Sequence, residues 1–151
     1  MIDRAGRNAA ASLIRQYVAG RITSEDCEND WPESGADPAV RAMARFMTNF
    51  FDDFSVHRFD SKDTSAEGHA ALARCLCFLD SDLEYRWPEV SLSRVRRPAA
   101  GQWLRGLVYR LFFERSEHRE DAALSTYGEV KWWPFRDELE YKTRCPAAHS
   151  S

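Results

Sequence analysis

Three of the five tryptophans in this chain stand directly before one of its six prolines, as Trp31-Pro32, Trp87-Pro88 and Trp133-Pro134. Random order at this composition would give roughly 0.2 such pairs, so the arrangement constrains architecture. Proline disfavours helical geometry in the residue before it and cannot donate a backbone hydrogen bond. Each pair is therefore expected to stop a helix and to place a large indole at the stop. There it either closes the end of a helix bundle or stays accessible as a binding anchor.

The stretches between these stops carry helical periodicity. Leu13, Ile14, Tyr17 and Val18 mark a helix over 5–19, ended by Gly20. Thr23 opens a short second helix that runs to Trp31-Pro32. Asp37 and Pro38 are an N-cap and a first-turn proline, and Val40, Met43, Ala44, Met47, Phe50, Phe51 and Phe54 form a wide apolar stripe behind them. Phe46 lies off that stripe and is expected to touch a neighbouring element. Thr64 and Glu67 match a capping box for a fourth helix to about Asp80, with Leu72, Cys75, Leu76 and Leu79 inward. Ser81 and Glu84 match another, opening one or two turns that end at Trp87-Pro88. A fifth helix is expected over 101–118 on the stripe Trp103, Leu104, Leu107, Val108, Leu111 and Phe112. Residues 129–133 could be extended, 136–142 could be a short last helix, and 145–151 look like a disordered tail. The predicted fold is all-α: one domain, a compact bundle of about five helices whose corners end at Trp-Pro.

The 151 residues suffice for a core without disulfides. No apolar run after the N-terminal charges suggests a signal peptide, and none approaches a membrane span. The expected setting is the cytoplasm, with Cys27, Cys75, Cys77 and Cys145 as thiols. The net charge of −3 argues against general nucleic-acid binding, although Arg94, Arg96, Arg97, Arg105 and Arg110 with Trp103 could line a basic face. Charge is uneven: residues 1–93 hold 16 acidic and 10 basic residues, a balance of −6, and residues 94–151 hold 8 and 11, a balance of +3. The ordinary reading is solvated helix faces; the functional one is an acidic patch facing a basic partner.

Sequence patterns for chemistry are sparse. Cys75 and Cys77 are two apart on a helix and point about 200° from each other, so they cannot share a metal ion without unwinding it. No Cys-x-x-Cys, His-Glu-x-x-His, Gly-x-Ser-x-Gly or glycine-rich phosphate loop occurs. No metal, cofactor or catalytic residue is assigned. His57, flanked by Asp52, Asp53 and Asp60, is the one candidate general base.

The stretch Leu13 to Glu28 resembles the helical hairpin of the short C-terminal domain, a bacterial oligomerisation module with a Gly-x-Ile-Thr-x-x-Glu-Phe core; Cys27 stands where Phe is usual. With Phe78 to Pro88 and Trp133-Pro134-Phe135, the wider pattern resembles an uncharacterised family of small helical bacterial proteins. That resemblance implies a small bacterial cytoplasmic protein and brings no activity or site with it. The leading expectation is a non-enzymatic interaction protein, of the toxin-neutralising (immunity) or a regulatory type. Its basic protein partner would be met by Glu28, Asp30, Trp31, Asp82, Glu84 and Trp87. The runner-up is a small hydrolase or nucleic-acid-processing enzyme working from His57 and nearby carboxylates, and an oligomerisation role is a third reading.

Overall fold

A computed structural model of the chain describes residues 1–51, 55–62, 64–88 and 124–146. Five α-helices are found there: α1 (Arg4–Val18), α2 (Ser24–Asn29), α3 (Pro38–Met47), α4 (Ala66–Asp80) and α5 (Glu138–Arg144). Single 3-10 turns follow α3 (Thr48–Phe50) and precede α5 (Val130–Trp132). Among the described residues there is no strand, only one isolated bridge between Thr23 and Arg58. The fold is all-α, as the periodicity indicated. The expected helix over 101–118, the loop before it, and Asp52, Asp53 and Phe54 lie outside the described residues.

Local caps set most helix ends. Asp3 starts α1 by accepting from the Gly6 amide, and Gly20 ends it with φ +67, where an L side chain would be strained. The Gly20 and Arg21 amides donate back to Tyr17 and Gln16 carbonyls across that turn. Thr23 and Asp26 form the capping box of α2, and Asp37 caps α3 with Pro38 in its first turn. At α4 the cap is Ser65, which accepts from the Gly68 amide. The expected partner pair, Thr64 and Glu67, is engaged elsewhere: the Thr64 hydroxyl donates to the Asp60 carbonyl, and Glu67 accepts from Arg74 at 2.7 Å.

α1 is the central helix, packed chiefly on α4 and also against α2 and α3. Its buried face is Gly6, Arg7, Ala10, Ala11, Ile14 and Tyr17. α3 contributes Ala39, Val40, Met43, Phe46 and Met47, and α4 contributes Ala71, Leu72, Arg74, Cys75, Phe78 and Leu79. Burying a side chain the size of Ile14 or Phe78 stabilises the fold by roughly 1.5–3 kcal/mol. Phe46 does reach a neighbouring element, with its ring 5.0 Å from that of Trp133. Phe50, expected inside the α3 stripe, is only half-buried, because the α-helix stops at Met47 and the 3-10 turn rotates the later residues off the stripe.

Four expectations are corrected in the second half. Residues 81–88 are extended, without the turns expected from Ser81 and Glu84. The carbonyls such turns need are taken: Arg4 donates to Leu79 and Ser81, and Arg7 to Ser81 and Leu83. Residues 130–132 form a 3-10 turn in place of an extended piece. The preceding segment is held by the Glu129 amide donating to the Arg136 carbonyl at 2.7 Å. That approach needs Gly128, where a Cβ would lie 2.5 Å from the Arg136 oxygen. Cys77 and Cys145 are joined as a disulfide, so two of the four expected thiols are not free. Cys145, placed in the expected tail, is therefore buried and bonded at the end of α5.

Trp-Pro has three outcomes. Trp31-Pro32 follows α2 closely, as expected. Trp133-Pro134, a cis peptide, follows a 3-10 turn. Trp87-Pro88 ends no helix. Trp87 and Trp133 are both core residues. The Trp133 indole donates to the Tyr85 hydroxyl at 3.1 Å, and the Trp87 indole to the Pro134 and Phe135 carbonyls at 3.1 and 3.3 Å. Phe78 and Phe135 meet edge-on beside them at 5.3 Å.

Candidate functional site

The six-residue helix α2 buries Ser24 and Cys27 against the body, so its other positions turn outward. Asp26 is committed to the capping box, and the bonds from the Thr23 amide and hydroxyl hold its carboxyl below the usual range. Glu25, Glu28 and Asp30 are exposed, as is Glu33 just beyond. No described cation pairs with any of these four, which leaves an acidic edge open to water. Its field is felt inside: burial first, then Asp30 and Glu28, push the Cys27 thiol up to about 11.

Trp31 sits at the end of that edge and is half-buried against the core. Its indole N–H donates inward to the Val40 carbonyl at 3.2 Å. This bond fixes the ring while part of it faces solvent beside Glu28 and Asp30. The structure thus brings Glu28, Asp30 and Trp31 together at the C-terminal end of α2.

The other three expected residues do not join them. Asp82 is exposed and lies 3.4 Å from Arg4 at the start of α1, and Glu84 is exposed on the extended segment. Trp87 is 5% exposed with its N–H used inside the core, so it cannot serve as a surface anchor. The alternation of 81–88 explains this: Tyr85 and Trp87 point inward while Asp82, Glu84 and Arg86 point out.

His57 is built into the α1–α3 corner. Its Nε2 lies 3.0 Å from the Phe50 carbonyl and 3.2 Å from the Tyr17 hydroxyl, and its Nδ1 lies 3.1 Å from the Ser55 carbonyl. Its backbone is tied to Ser24, whose amide donates to the His57 carbonyl at 2.8 Å. Both ring nitrogens thus face backbone carbonyls, an arrangement that holds a loop. The Tyr17 hydroxyl donates to Phe50, and burial pushes it up to about 12. Among the described residues no group of three or more His, Cys, Asp or Glu is placed to hold a metal ion, and no helix is long and apolar enough to cross a membrane.

The strongest electrostatic feature escaped sequence reasoning. Arg7 is fully buried and its Nε donates to Asp37 at 2.6 Å, with Nη2 on the other carboxylate oxygen at 3.2 Å. Nη1 spans the Ser81 and Leu83 carbonyls at 3.0 and 2.8 Å, and the guanidinium stands 5.3 Å from the Phe78 ring centre. Asp37 also accepts from the Asp3 and Ala39 amides. Burial alone would raise the Asp37 carboxyl; the bonds from Arg7, Ala39 and Asp3 outweigh it and hold the group below its ordinary value. A signal was present: Arg7 continues the α1 stripe of Ala10, Ala11, Ile14 and Tyr17 at helical spacing. An arginine on an apolar stripe needs a buried carboxylate. The arrangement ties α1, α3 and the 81–88 segment at one point, with every partner internal. It is a structural clasp.

The chain matches no protein-family model, no curated protein and no solved structure.

Proposed function

We propose that the chain is a non-enzymatic interaction protein that binds a basic protein partner through the acidic edge of α2, with Trp31 as anchor. One observation carries this reading: Glu25, Glu28, Asp30 and Glu33 are exposed without a described cationic partner, around an indole fixed half-open by its bond to Val40. Rigid aromatics ringed by charge lose little conformational entropy on binding. A cytoplasmic toxin-neutralising or regulatory role fits such a surface. The hydrolase reading has less support, since both nitrogens of His57 face backbone carbonyls.

The test starts from whatever co-purifies with the tagged protein, followed by stopped-flow kinetics with that partner at two salt concentrations. The double reversal Glu28→Lys/Asp30→Lys should slow association about tenfold at low salt, because long-range attraction acts mainly on encounter. Trp31→Ala should chiefly speed dissociation. Association that ignores both salt and charge reversal would remove the acidic-edge reading.

A further inference from the structure

The disulfide between Cys77 and Cys145 closes a separation of 68 residues, with Cα atoms 6.2 Å apart. That spacing lies within the usual range for a disulfide. Cys77 is partly buried on α4, and Cys145 is the residue that ends α5. With seven residues, α5 is far shorter than a helix that holds by itself in water, so its order depends on what it docks against. Its buried side chain is Tyr141, stacked on Trp132 at 5.6 Å and packed on Phe135 at 5.2 Å. Glu138, Leu139, Lys142, Thr143 and Arg144 face solvent, and Leu139 is 75% exposed. Aromatic docking at the middle and a covalent bond at the end thus hold α5 in place.

The other two cysteines are poor competitors for exchange. Cys27 and Cys75 are buried and free, and burial pushes both thiols up, which suppresses the thiolate that exchange requires.

We propose that the Cys77–Cys145 disulfide is a redox latch on the C-terminal helix: oxidised, it ties the end of α5 to α4; reduced, it lets α5 leave and uncovers the Trp132 face beneath Tyr141. The reductant is a dithiol. One of its thiolates attacks the sulfur of Cys77, the less buried of the two cysteines, and Cys145 departs as a thiolate that takes up a proton. The second thiol then closes on the mixed disulfide and frees Cys77 as a thiol. Two electrons pass to the chain and the dithiol becomes a cyclic disulfide. In a reducing cytoplasm the latch stands open, and oxidation closes it.

The test uses the full-length protein with dithiothreitol as the dithiol. After air oxidation, alkylation of the denatured chain without reductant should modify Cys27 and Cys75 only, with peptide mapping locating the bond at Cys77 and Cys145. Four alkylated cysteines, or a bond elsewhere, would overturn the assignment. Hydrogen exchange of 138–145 should then speed about tenfold or more on reduction, while α1 and α4 keep their protection. Equal protection of 138–145 in both redox states would overturn the latch. Cys145→Ser should exchange like the reduced protein whether or not dithiol is present, and Cys77→Ser, which leaves the end of α5 intact, should behave the same way. A variant that keeps the oxidised protein's protection contradicts the proposal.

Discussion

Two segments of this chain open on the same local signal and end as different structures. Thr23-Ser24-Glu25-Asp26 and Ser81-Asp82-Leu83-Glu84 both offer a hydroxyl followed three residues later by a carboxylate. The first becomes α2, with Thr23 and Asp26 closing the box. The second stays extended. A capping box supplies acceptors for orphan amides, but a helix also needs the carbonyls behind them. At 81–88 those carbonyls are held by Arg4 and Arg7 of α1, and the Ser81 hydroxyl turns back to donate to the Phe78 carbonyl. A charge-assisted bond to a buried guanidinium outweighs the roughly 1 kcal/mol a cap contributes. A local signal is decisive only where no distant donor claims the same backbone.

The comparison can be broken most directly at Arg7. Arg7→Met should cost about 3–5 kcal/mol in urea unfolding, because Asp37 is left buried without its cation and the Ser81 and Leu83 carbonyls lose their donor. Adding Asp37→Asn should recover part of that loss through coupling of the pair. A single-variant loss below about 1 kcal/mol would mean the clasp does not hold the 81–88 segment.

Acid should produce a smaller effect at the same place. The Asp37 carboxyl is held below its ordinary value of 3.8 in the folded protein, so the unfolded chain takes up the proton first. Its contribution is complete above that value, declines as pH falls through it, and is lost once pH passes below the depressed folded value. Stability should therefore fall more shallowly below about pH 4 in Asp37→Asn than in the wild type. Matching acid slopes for the two proteins would show that Asp37 is not a source of the decline.

The smallest expected effects sharpen the contrast between the two boxes. Thr23→Ala should cost about 1 kcal/mol, since it removes the acceptor for the Asp26 amide. Glu84→Ala, at the matching place of the failed box, should stay within about 0.5 kcal/mol as an exposed substitution. Equal losses at the two sites by thermal or urea unfolding would contradict the structural difference between them.

The candidate site shows the same division. That Glu28, Asp30 and Trp31 lie close together was legible because they are nearly consecutive at the end of one short helix, where adjacency in sequence is adjacency in space. Trp87 was misassigned because its depth depends on residues 47 and 48 positions away, the Pro134 and Phe135 carbonyls that accept its N–H. The cysteines divide likewise. Cys75 falls on the α4 stripe and is buried as expected, whereas nothing near Cys77 announces Cys145, 68 residues on.

By itself the sequence determined the helical class, the starts of α1 to α4 and the ends of α1, α2 and α4 to within about two residues, the caps at Thr23 and Asp37, and much of the inward faces of α1, α3 and α4; the end of α3, expected beyond Phe50, falls at Met47. These rest on interactions within four residues, between side chains and the backbone amides beside them, and such bonds need no tertiary partner. Only the tertiary structure decided that 81–88 is extended, that Trp87 and Trp133 are core, that Arg7 and Asp37 form a buried pair and that Cys77 meets Cys145. Each of those outcomes depends on which distant carbonyl, carboxylate or thiol the fold brings within bonding distance. A buried polar group takes the partner that folding supplies, because the cost of leaving it unpaired exceeds any local preference.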